Sequence, residues 1–189
     1  MLQTCVRYGN SATKCQFCAI GESLKARRTI AKKTPEQLAE VAAAAQRLDG
    51  IANVVLTTGT PPTHDRGASV LSECAVAIKN ATDLPIQGQC EPPSDFGWFA
   101  RMRAAGIDSL GMHLEAWDES VRRHIMPGKA EVPRAFYLEA FAAAVRVFGR
   151  GQVSTYLLAG LGDSVESLHE ARGCSSISAS IPLLFLSFR

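Results

Sequence analysis

Short apolar runs rich in β-branched residues recur along this chain, and longer segments whose apolar side chains repeat at the helical period separate them. That succession predicts repeated βα units around a parallel sheet. Strands are expected over residues 2–7, 52–58, 84–90, 109–114 and 152–159. Helices are expected over 34–48, 67–80, 94–105, 118–125 and 133–148. Thr34-Pro35-Glu36-Gln37 supplies an N-cap, a proline at the first helical position and acidic or amide groups in the first turn, and Asp49-Gly50 ends that helix. Met126-Pro127-Gly128-Lys129 breaks the pattern between the fourth and fifth helices. The alanines at 42–45 and 142–144 let helices approach the sheet closely. About five such units with short connections imply an α/β fold, either a partial TIM-like barrel or, as the competing arrangement, a doubly wound sheet.

In either fold chemistry belongs at the carboxyl ends of the strands, and the unusual loops all fall there. They are the cysteine-bearing loop after residue 5, Thr57-Thr58-Gly59-Thr60, Cys90-Glu91-Pro92-Pro93, His113-Leu114-Glu115 and Gly160-Leu161-Gly162-Asp163.

Composition narrows the class of partner. A chain of 189 residues is long enough for one domain with a substantial core, and its net charge of +2 arises from scattered residues. No stripe of one sign points to nucleic acid or a membrane surface, and no run of apolar residues is long enough to span a bilayer. A soluble, cytoplasmic protein acting on a small molecule is the expectation. The six cysteines are too unevenly placed for a disulfide scaffold. Cys74, Cys90 and Cys174 are isolated, as small buried hydrophobes are.

Cys5, Cys15 and Cys18 crowd together instead, as C-x9-C-x2-C directly after a strand. Three thiolates do not complete a tetrahedral zinc site, and the first histidine is His64. A [4Fe–4S] cluster held by three thiolates keeps one iron open for an exogenous ligand. Zinc with a remote fourth ligand is the competing reading.

With these residues the sequence resembles the radical S-adenosylmethionine (SAM) superfamily, especially its biotin synthase and lipoyl synthase branch. The usual spacing there is C-x3-C-x2-C; the first gap is longer here, while Cys15-Gln16-Phe17-Cys18 keeps the C-x-aromatic-C form, with Tyr8-Gly9-Asn10-Ser11 as an enlarged loop beside the cluster. The resemblance implies that Cys5, Cys15 and Cys18 ligate the cluster. Thr58 and Gly59 fall where the family holds the methionine amino group of SAM. Glu115 falls where a polar residue contacts the ribose or carboxylate. Leu158-Ala159-Gly160-Leu161-Gly162-Asp163 is similar to the family's GxIxGxxE segment, with Leu158 against adenine, Gly160 at a glycine position, Asp163 in place of Glu and Tyr156 in place of the first glycine. Glu91 and His113 are substrate-side candidates. The stretches GMHLEAW, IMPGKAEVP and GRGQVSTYLLAGLGD are similar to radical SAM proteins of nitrilase-containing bacterial gene clusters. The implied activity is cleavage of SAM to a 5′-deoxyadenosyl radical that abstracts hydrogen from a small substrate, with a reductase, ferredoxin or flavodoxin as electron donor. The alternatives are a metal or iron–sulfur electron-transfer module without SAM chemistry, and an inactive fragment.

The resemblance covers residues 2–171, and the expected radical SAM core is 1–171. From Gly173 to Phe188 the chain has no charged residue and fits neither period. Permitted codons read in another frame from Arg172 give RLLVDIGVYPFVVPFVP, so 172–189 reads as a frameshifted tail. The expectation is a truncated barrel, short of chain on both sides. It would lack its sixth strand, keep an uncovered sheet edge and fold poorly alone.

Overall fold

Helix starts and stops follow local chemistry. In the computed structural model, which describes residues 2–5, 7 and 12–174 and the backbone of 181–186, Thr34 and Gln37 form a reciprocal capping box at the start of a helix. That helix runs Pro35–Asp49 and ends at Gly50, whose φ of +65° glycine adopts without a Cβ penalty. It is α2, because a short α1 (Ile20–Lys25) precedes it. The chain then alternates β1 (Val54–Thr57), α3 (Ala68–Ala81), β2 (Ile86–Gln89), α4 (Gly97–Ala104) and β3 (Ser109–Gly111). It continues through α5 (Glu119–Ile125), a 3-10 turn at Lys129–Glu131, α6 (Arg134–Phe148), β4 (Val153–Ala159), α7 (Val165–Gly173) and β5 (Ile181–Leu186).

All neighbouring strands pair in parallel, in the spatial order β1-β2-β3-β4-β5. A doubly wound sheet reverses its strand order at a switch point. Strict sequential order is that of a βα barrel segment, so the competing arrangement is excluded. Helices α3, α4 and α6 pack side by side, and with the strands they bury Leu71, Ile78, Phe99, Met102, Phe141, Leu110 and Val153 in one core.

The structure departs from the sequence expectation at both ends. Among the described residues of 2–7 no regular strand forms, although Leu2 donates its amide hydrogen to Thr57 and Gly59 donates to Gln3, so residues 2–3 still lie along β1. An antiparallel bridge between Gln3 and Lys32 holds its other side. At the far end the tail was expected to fit no strand period, yet 181–186 pairs with β4 over six positions. The sequence there, IPLLFL, is a near-continuous apolar run, which shows no alternation to detect. The edge of β4 is therefore covered. Helices α1 and α7 were not anticipated.

Candidate functional site

Cys5 is positioned by a glycine. A Cβ on Gly59 would stand 2.3 Å from the Cys5 amide nitrogen and 2.5 Å from the Thr4 carbonyl carbon, so only a bare backbone lets the two segments cross. The Cys5 thiol faces the Thr60 carbonyl, with Sγ 3.8 Å from the oxygen. Thr58 donates its amide hydrogen to the Gln89 carbonyl and its hydroxyl hydrogen to Gly59, fixing the TTGT turn at the carboxyl end of the sheet.

Cys15 and Cys18 are anchored elsewhere. Gln16 donates its backbone N–H to Ile125 and its side-chain amide to His124, at the end of α5, while Gly128 donates to Thr13. The long first gap of the cysteine motif thus separates two anchorages, one beside β1 and one beside α5. Residues 8–11, the expected enlarged loop, lie outside the described residues. Cys15 packs on a small apolar cluster of Ala116, Ile125, Met126 and Leu161, which Leu158 also joins. Burial pushes its thiol up to about 11; Lys129 opposes the rise, and Cys18, Glu115 and Cys5 add to it. The three thiols therefore share one electrostatic neighbourhood.

Lys129, which the sequence reading passed over as part of a helix-breaking segment, is the cation of this site. Its Nζ donates to Glu115 Oε1 at 3.0 Å, with both side chains almost entirely buried. Burial alone would lower the Lys129 ammonium, but Glu115, Glu91 and Cys15 outweigh it and hold the group above its ordinary range. Glu115 itself has φ of +69°, left-handed backbone that a non-glycine residue adopts only when its surroundings impose it. Here they do, since Glu115 donates its amide hydrogen to Tyr156 and accepts one from Leu158. Arg122 ties the surrounding segments together from beneath. Fully buried, it donates to the carbonyls of Leu114 at 2.8 Å and Val132 at 2.9 Å and lies over the Tyr137 ring. A lysine after Pro-Gly and an arginine on a short polar helix give no periodic signal, and only the fold brings them together.

The remaining expected residues divide by what they touch. Asp163 accepts hydrogen bonds from the backbone amides of Trp117 at 2.7 Å and Asp118 at 2.8 Å, one on each carboxylate oxygen, and so sets the entry to α5. Gly160 turns the chain after β4 with φ of +97°. Glu91 is buried near Lys129. His113 stacks on Tyr156, ring centroids 3.7 Å apart, and both its nitrogens are buried without a hydrogen-bond partner among the described residues. Burial, then Lys129, push its imidazole down to about 3.

The donor set, three thiols with no histidine or carboxylate among them, suits a [4Fe–4S] cluster with one open iron. Among the described residues no three Cys, His, Asp or Glu side chains are gathered closely enough to hold a metal ion. To ligate a metal the raised Cys15 thiol would have to lose its proton, the usual coupling of metal binding to pKa.

A sequential parallel α/β sheet with a cysteine loop and a buried ion pair at its carboxyl end defines a barrel-type cofactor protein. The chain belongs to the radical SAM superfamily, whose family model matches residues 8–172, a span that includes Cys15 and Cys18 and begins after Cys5. Enzymes of this family use a [4Fe–4S] cluster and SAM. The chain is 36% identical over 81 residues to bacteriochlorophyllide c C-7(1)-hydroxylase of Chlorobaculum limnaeum, covering 42% of this chain and 20% of that protein. Methylornithine synthase superposes with a TM-score of 0.66 at 21% identity, over 98% of this chain and 53% of its own. A radical SAM methyltransferase from Sphaerobacter thermophilus gives 0.61 at 20% identity, over 93% and 52%. The chain thus spans about half the length of these solved structures and a fifth of the hydroxylase. Among the described residues no helix is long and apolar enough to cross a membrane.

Proposed function

We propose that this chain binds a [4Fe–4S] cluster through Cys5, Cys15 and Cys18, cleaves SAM and abstracts hydrogen from a small organic substrate. What carries the reading is the meeting of the two cysteine anchorages and the Glu115–Lys129 pair at one end of the sheet. When bound, the reduced cluster supplies the electron that splits SAM into methionine and a 5′-deoxyadenosyl radical. The protein's own residues do the placing. Gly59 and Thr58 bring bare backbone to the methionine end. Glu115 and Lys129 offer one charge of each sign to a zwitterion, Leu158 and Gly160 line the adenosine side, and Asp163 acts through the Trp117–Asp118 backbone. Glu91 and His113 lie on the substrate side, where His113, neutral by burial, can accept or donate a hydrogen bond without carrying charge.

The biotin synthase and lipoyl synthase branch, and within it the proteins of nitrilase-containing clusters, are the proposed nearest kin. The setting is cytoplasmic, with a reductase, ferredoxin or flavodoxin supplying the electron. Anaerobic reconstitution tests the whole reading. The wild type should take up iron and sulfide in equal amounts, Cys15→Ala should lose both, and SAM should alter the paramagnetic signal of the reduced cluster. A signal indifferent to SAM would make the chain an electron-transfer module instead.

A further inference from the structure

The even scatter of charge expected from composition fails at one place. Seven of the twenty cationic residues fall in the first 33 positions, against one acid, Glu22, of eighteen, so this stretch carries six net positive charges in a chain whose total is +2. From residue 12 to residue 33 no residue is buried, and α1, which lies within that span, puts no side chain into the core. A helix of six residues draws little stability from its own hydrogen bonds. Neither packing nor propensity therefore accounts for this surface element.

The stretch is an arm that leaves from the cluster cysteines and returns to them. It starts at Cys15 and Cys18, which Gln16 fixes beside α5, and Cys18 is exposed. Arg27 takes a left-handed turn after α1, with φ of +54°, and Arg28 donates its amide hydrogen back to Ser23. At the far end Lys33 donates to the Leu2 carbonyl, and Thr4 donates to that of Ala31, one residue short of Cys5. Lys14, Lys25, Arg27, Arg28 and Lys32 are exposed along the arm, and Arg123, exposed in the last turn of α5, adds a cation where Gln16 is anchored.

The acids around it leave the face positive. Lys25 pairs with Glu22 at 2.8 Å, and Lys25, then Lys14, hold that carboxyl below its ordinary range. Glu131 pairs with Arg7 and Glu115 with Lys129, while Glu91 is buried. Glu36 and Glu40 of α2 offset two further cations. Among the described residues Arg27, Arg28 and Lys32 have no ion pair. Phe17 is 38% exposed and Ile30 54%, so the cations surround apolar ground. Protein contacts commonly combine apolar anchors with such a polar rim.

We propose that this arm is the docking surface for an acidic one-electron carrier protein, with Lys25, Arg27, Arg28 and Lys32 meeting its carboxylates around Phe17 and Ile30. The assignment rests on the cluster proposed above. Its partner follows from placement and charge together. Electron transfer weakens steeply with distance, and the arm frames Cys18, the most exposed of the three expected ligands. Complementary charge also speeds the encounter of the two proteins. A nucleic acid has no electron to deliver there, and Ile30 offers nothing to a phosphate. One electron leaves the carrier, which is oxidised, and enters the cluster, which is reduced; no bond forms or breaks.

An acidic flavodoxin is the probe, added anaerobically to the reconstituted 189-residue chain. Binding of oxidised flavodoxin, followed by flavin fluorescence, should weaken roughly tenfold between about 20 and about 300 mM salt. At low salt the Arg28→Glu/Lys32→Glu variant should weaken it by about the same factor. Arg146→Glu/Arg150→Glu, the same change of charge at the amino end of the sheet, should leave it unaltered. Reduction of the cluster by reduced flavodoxin should slow in the same order, while dithionite, which needs no docking, should still reduce every variant in full. Binding indifferent to salt, an unchanged affinity in Arg28→Glu/Lys32→Glu, or an equal loss in the control variant would overturn the assignment. So would tighter, equally charge-dependent binding of a short oligoribonucleotide. Charge-dependent docking on a chain that takes up no iron keeps the surface and removes the cluster; a cluster that responds to SAM on a chain without such docking does the reverse.

Discussion

A methyl group at position 59 would collide with backbone atoms of Thr4 and Cys5, which have no rotamer by which to give way. Gly59→Ala should therefore cost about 1–3 kcal/mol of stability, read by urea unfolding of the metal-free chain, and should also reduce iron uptake by displacing Cys5. Unchanged iron content would mean that Cys5 is not a ligand, a point of substance because the family match begins beyond it. His113 supports a pH prediction. Its folded value, about 3, lies below that of a histidine in the unfolded chain. Between the two values the unfolded state binds the extra proton, so stability falls as pH drops through about 6.5 toward 3. From pH 7 to pH 5 the wild type should lose about 2 kcal/mol more than His113→Gln. Equal losses would show a hydrated imidazole. At this scale the cysteines and Glu115 stood out in the sequence as candidates because their chemistry is rare or their place in the motif fixed. Lys129 and Arg122 did not, since a cation's partners are decided by tertiary contacts.

Helix α5 links the two halves of the site. Its start is held by Asp163, which bonds the Trp117 and Asp118 amides, and its end receives the cysteine loop through Gln16. Asp163→Ala leaves two amides without their charged acceptor, so it should lower stability by about 1–3 kcal/mol and weaken SAM binding only in proportion to the disorder it causes. Loss of SAM affinity at unchanged stability would instead make Asp163 a direct ligand contact. The same element shows what pattern can reveal. Asp118 caps α5 and Thr34 caps α2 with side-chain chemistry visible in the sequence. Residues 2–5 kept their place along β1 but not a regular ladder, because Gly59 packs against their backbone where a paired strand would continue.

Sequential parallel order leaves the molecule with two sheet edges to manage. Residues 2–5 and the 31–33 segment cover the β1 edge, and β5 covers β4. The sequence conveyed the order of the elements, since each βα unit repeats a recognisable pair of periods. It concealed the last strand, whose uniform apolarity and flanking serines resemble no repeating pattern. That strand bears on stability more than its length suggests. Edge strands present unpaired N–H and C=O groups to any other chain, and β4, seven residues long, has no charged residue or proline to discourage such pairing. A chain ending at Cys174 would expose the whole of it. It should elute as a mixture of oligomers in size-exclusion chromatography and lose a single cooperative thermal transition, whereas the 189-residue chain should remain monomeric. A monomeric truncated chain with an unchanged melting temperature would mean that 181–186 adds nothing to the sheet and that residues 2–174 already close the fold.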